Sequence, residues 1–158
     1  MRWYKFSIVF TIGLFIELIV AIFSSVIIKE NGEWLASLSL PFFAPHSPLF
    51  YGVLTEILYL FSALSLALYT RSSADLPIGG ILTAAEGIAE IITLLFFFKF
   101  TYEITSFFVM TGTLLLSCCN TSHFLSKRDA AGIARFPVFI ITLYLWSVLY
   151  CILMINFA

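Results

Sequence analysis

An all-α integral membrane bundle of five transmembrane helices is the fold class this chain predicts, from three observations. Of its 158 residues 61% are hydrophobic and only 11% charged, with a mean hydropathy of +1.07; in soluble domains charged residues make up about 25%. Apolar runs close to the ~20 residues needed to cross a bilayer core recur five times. Those runs lack period-two alternation and are far too long for strands. A chain of this length forms one domain, and lipid covers the apolar surface that a soluble protein would bury.

The first span covers residues 6–28, ending at Lys29-Glu30-Asn31-Gly32. Arg2 and Lys5 precede it, but the run is too long for a signal peptide and shows no cleavage site. The second covers 49–69 and ends at the polar segment Arg71 to Asp75. The third covers 78–98, where Gly80, Ala84, Ala85, Gly87 and Ala89 offer close-packing faces and predict the deepest helix of the bundle. Only Lys99 to Glu103 separate it from the fourth, 104–125, so those two spans pair as a tight antiparallel hairpin. After Lys127-Arg128-Asp129, the fifth runs from Pro137 to Phe157, residues 137–157. One side of the membrane then carries Arg2, Lys5, Arg71, Lys127, Arg128 and Arg135, the other only Lys29 and Lys99. The positive-inside rule places the N-terminus in the cytoplasm.

Net charge is −1, with no basic patch to attract nucleic acid. Cys118, Cys119 and Cys151 are an odd set inside apolar runs and read as buried small hydrophobes. No nucleophile motif, phosphate-cradling glycine loop or zinc-spaced Cys/His set occurs, so no catalytic or metal-binding residue is assigned. His46 and His123 read as surface or interface histidines.

Four carboxylates, Glu17, Glu56, Glu86 and Glu90, fall inside the spans. A charge at mid-bilayer costs about 2.5–3.5 kcal/mol on insertion scales, so such residues are expected to face the bundle interior or a wet cavity. On the third span Gly79, Thr83, Glu86, Glu90 and Thr93 follow helical spacing and define one polar stripe. Four readings of the Glu86–Glu90 pair stand side by side: hydroxyl-bonded packing groups, polar anchors of a ligand pocket, part of a proton or cation path, and a metal site.

The segment after the first span is aromatic, stiffened by proline and nearly uncharged after Glu33, which suits a lid over a cavity. Its Trp34, Leu38, Pro41, Phe43, Pro45, Phe50 and Val53 keep the relative spacing of the first loop in the TspO/MBR family of tryptophan-rich sensory or translocator proteins, which this chain resembles. Leu145-Trp146 and Asn156 resemble that family's C-terminal Leu-Trp and Asn, and Glu90 and Thr93 fall near its third-helix Asn and Trp. Leu40, Phe43, His46, Leu54, Thr142 and Met154 depart from its pattern. The resemblance implies a pocket for porphyrin- or sterol-like molecules opening towards the first loop, a transport or sensory role, and a homodimer. No cofactor is required; a porphyrin enters as a ligand. The expected ligand-binding residues are Trp34, Pro41, Phe43, Pro45, Phe50, Glu86, Glu90, Thr93, Phe97 and Trp146. A sterol-recognition pattern is traced loosely by Leu66, Tyr69 and Arg71. The implied location is the cell membrane in a prokaryote or the mitochondrial outer membrane in a eukaryote. Two alternatives remain: an intramembrane isomerase like the four-span EXPERA sterol enzymes, and a proton-coupled transporter using the helix carboxylates.

Overall fold

A computed structural model describes residues 2–70 and 76–157, among which all regular structure is helical. The elements are α1 (Arg2–Glu30), α2 (Gly32–Ser37), α3 (Pro48–Tyr69), α4 (Leu76–Leu94), α5 (Glu103–Lys127) and α6 (Asp129–Phe157). Five of the six are long and apolar enough to cross a membrane, and their exposed faces are large hydrophobic side chains. The chain is a multi-pass membrane protein whose outer surface suits lipid. Arg71 and its neighbours to Asp75 lie outside the described residues.

Packing neighbours are α1 on α3, α3 on α6, α6 on α5 and α5 on α4, and α4 also touches α3 and α1. α1 is the most lipid-exposed member. A narrow stripe faces inward, including Gly13, half-buried Glu17, and buried Ala21, Ser24, Ile27 and Ile28. The short link between α4 and α5 turns at Thr101, whose φ of 54° lies in the left-handed region. Acidic Glu103 in the first turn of α5 and basic Lys127 in its last oppose the helix dipole at both ends.

Two elements differ from the sequence expectation. The most buried helix is α3, not the small-residue α4, because α3 packs against α1 on one flank and α6 on the other. In addition, α6 begins at Asp129 and carries Pro137 in its interior. The proline removes one backbone donor, but the preceding turn stays helical because it is packed: Ala131, Ala134, Arg135 and Val138 are all buried. Gly132 permits this approach, since a Cβ there would fall 2.5 Å from the Leu125 Cα on α5. Arg135 therefore sits inside the bundle rather than at the membrane boundary.

The segment Leu95–Lys99 closes α4 as one π-helical turn. Widening the helix there brings the consecutive residues Phe97 and Phe98 into the core together, both buried, with ring centroids 5.0 Å apart and planes at 89°. Single π-turns of this kind recur at functional sites.

Candidate functional site

Two adjoining features occupy the bundle interior. The first is a polar network centred on Arg135 of α6. Its guanidinium is fully buried and forms an ion pair with Glu86 of α4 through Nη2 and Oε2. Its other terminal nitrogen, Nη1, reaches the hydroxyls of Ser62 (3.4 Å), Ser65 (3.3 Å) and Thr83 (3.4 Å), and the guanidinium carbon stands 5.0 Å from the centroid of the Phe124 ring. Asn120 of α5 donates to Glu86 Oε2 at 2.7 Å and to the Leu82 carbonyl at 3.1 Å. One cation thus ties four helices together. The network is not saturated: Glu86 Oε1, Arg135 Nε, Asn120 Oδ1 and Ser117 Oγ are buried without a hydrogen-bond partner.

The second feature is an apolar cavity of about 70 Å³ between α3, α4, α5 and α6, roofed by Leu35 of α2. Tyr51 and Leu58 line it from α3, Met110 from α5, and Leu145 and Leu149 from α6. Glu90, Thr93, Phe97 and Phe98 line it from α4, the two rings being brought there by the π-turn. Glu90 is only 7% exposed, and its Oε1 has no partner. The Thr93 and Thr55 hydroxyls donate to carbonyls of their own helices, Ala89 (2.9 Å) and Gly52 (2.7 Å). Around Glu90 stand Glu17 of α1, Tyr59 of α3 and Thr142 of α6. Glu17 also lies within electrostatic range of Arg135.

The predicted stripe on α4, Gly79, Thr83, Glu86, Glu90 and Thr93, is present as one buried face. Within it the structure separates the two carboxylates. Glu90, Thr93 and Phe97 line the cavity, whereas Glu86 belongs to the Arg135 network. Glu56 does not face the interior; it is exposed on α3 and accepts a 3.4 Å hydrogen bond from Ser25 of α1.

The lid segment is ordered differently from its sequence reading. Trp34 is half-buried on α2 and packs on the core, but its neighbour Leu35 reaches the cavity, because one residue of helix rotates the side chain by about 100°. Pro41 is buried and its carbonyl accepts the Ala44 N–H at 2.9 Å, making a turn, and Pro45 is half-buried beside it. Phe43 and Phe50 lie partly exposed, edge-on to Tyr144. Trp146 stacks on Tyr150 and donates to the Thr111 hydroxyl at 3.0 Å, while the adjacent Leu145 lines the cavity. The loop is fastened to α6. Asn156 pairs with both backbone groups of Ser39, each at 2.9 Å, and the Tyr144 hydroxyl donates to the Phe43 carbonyl at 3.1 Å.

Sequence reasoning missed Arg135 and Asn120. Asn120 is a lone amide in the fourth apolar run, and Ser62 and Ser65 at i, i+3 on the second are hydroxyls waiting for a donor. Those spacings were the available signal. Cys118 and Cys119 are on the outer face rather than buried, where a small apolar side chain suits lipid equally well. Tyr69 is buried and bonds His123 at 3.1 Å. Among the described residues no group of three or more His, Cys, Asp or Glu is placed to hold a metal. No protein-family model matches the chain, and no curated protein matches it significantly.

Proposed function

We propose that this protein binds small hydrophobic or amphipathic molecules in the cavity beneath α2, in a transport or sensory role of the kind its resemblance to the TspO/MBR family implies. The observation that carries this reading is an apolar cavity between the helices with one unpartnered carboxylate oxygen, that of Glu90, at its wall. Binding sites for small molecules combine this kind of apolar lining with a few convergent polar groups. Drug-sized ligands occupy clefts of about 300–1,000 Å³, so a porphyrin or sterol enters the 70 Å³ cavity only when the roof lifts. The roof is built for this. It is a six-residue helix and a proline-stiffened loop, fastened to α6 chiefly through Asn156 and Tyr144.

Orientation follows the cations that remain at helix ends. Lys5, Lys127 and Arg128 mark one side and Lys29 and Lys99 the other, a bias that supports a cytoplasmic N-terminus even with Arg135 withdrawn into the bundle. The cell membrane, or the mitochondrial outer membrane in a eukaryote, and a homodimer come from the resemblance. Five spanning helices rather than four weigh against the sterol-isomerase alternative. A proton-coupled transporter draws support from the proximity of Glu17 to Glu90 on one side and to Arg135 on the other.

The test is titration of the purified protein with protoporphyrin IX, read by quenching of tryptophan fluorescence with cholesterol as competitor. Saturable quenching, reduced in Trp34→Phe or Trp146→Phe, is the expected result. A flat titration of folded protein would remove the porphyrin-type ligand from consideration.

A further inference from the structure

The buried ionisable groups of the bundle do not pair off one to one. Among the described interior residues there is one cation, Arg135, and there are three carboxylates, Glu17, Glu86 and Glu90. Arg135 is committed to Glu86. Its remaining terminal donors point to Ser62, Ser65 and Thr83, not towards Glu90. Glu90 is left with an unpartnered oxygen at a cavity wall, faced by a second carboxylate, Glu17, and near the buried Tyr59 hydroxyl. Uncompensated buried charge is costly, and it is relieved by a proton or by a counter-charge.

We infer that the cavity is a site for a lipophilic amine, whose ammonium group is the missing cation beside Glu90 and Glu17 and whose apolar body lies among Phe97, Phe98, Met110 and Leu149. This rests on the ligand-pocket reading and narrows its ligand class. An ammonium carries its own hydrogen-bond donors and so satisfies the free Glu90 oxygen. The aromatic rings that the π-turn carries inward add favourable surface for a cation. An inorganic cation fits poorly. Hard cations require several oxygen ligands, and beyond Glu90 the cavity wall is almost wholly hydrocarbon.

The test uses the full chain in lipid nanodiscs and a matched pair of probes, N,N-dimethylphenethylamine and 2-phenylethanol, in equilibrium binding with radiolabelled ligand and empty nanodiscs as the background. Wild-type protein is expected to bind the amine saturably and at least about tenfold more tightly than the alcohol, the factor that 1.4 kcal/mol represents. Glu90→Gln is expected to abolish that preference, and Glu90→Asp to retain it. Thermal unfolding of each variant establishes that it is folded, and the Asp variant keeps the comparison decisive if the Gln variant is not. Equal affinity for amine and alcohol, or an amine preference unaffected by Glu90→Gln, would overturn the inference while leaving the pocket reading intact. Saturable binding of neither probe would remove this site as a pocket for either class.

Discussion

Replacing Glu86 by Leu strands the Arg135 guanidinium in the bundle. The arginine cannot shed its charge, and its remaining hydrogen-bond partners are three hydroxyls at 3.3–3.4 Å, all at the long end of hydrogen-bond distance. Removing one partner of a buried ion pair costs about 3–5 kcal/mol. The reverse change, Arg135→Met, is milder, because Glu86 can take up a proton and still accept from Asn120 at 2.7 Å. Together, Glu86→Leu and Arg135→Met exchange the pair for apolar volume, a swap that is often neutral or stabilising. The double-mutant cycle is therefore expected to close with a favourable coupling of at least about 3 kcal/mol, at or above the upper end of what contacting residues show. SDS-induced unfolding in mixed micelles, followed by tryptophan fluorescence, supplies the four free energies. Additive single effects, or a double variant as unstable as Glu86→Leu alone, would refute the assignment of this pair as the centre of the interior.

Two further changes probe other parts of the fold by independent assays. Gly132→Ala places a methyl group 2.5–2.7 Å from three atoms of Leu125, so overpacking at the α5–α6 crossing is expected to cost about 1–3 kcal/mol, seen as an earlier thermal unfolding midpoint in detergent. An unchanged midpoint would mean the crossing relaxes freely. Asn156→Leu removes both 2.9 Å ties to Ser39 and is expected to raise hydrogen–deuterium exchange in residues 34–47 while α3 to α6 keep their protection. Uniform exchange across the chain would argue against a separately fastened roof.

The polar stripe of α4 was legible because helical periodicity alone fixes which residues share a face: Thr83, Glu86, Glu90 and Thr93 recur every three or four positions and all are buried. The same periodicity could not say that Glu86 and Glu90, one turn apart, meet different neighbours. That depends on what α6 presents at each level, which is Arg135 at one and Thr142 at the other. The roof shows a similar limit. Its aromatic and proline content marked a packed segment, yet Leu35 rather than Trp34 touches the cavity, because the short helix α2 sets the rotation.

By itself, then, the sequence determined the number of spans, their order and the inward face of α4, since span length and hydropathy are properties of contiguous residues that any bilayer reads alike. Tertiary structure alone decided the fate of the ionisable groups. Arg135, eight residues after Lys127 and two before Pro137, reads as one more boundary cation until α3, α4 and α5 close around it. Glu56 reads as an interior carboxylate until the rotation of α3 leaves it on the outside. The cost of a charge in a membrane depends on what surrounds it, and those surroundings come from helices far away in the chain.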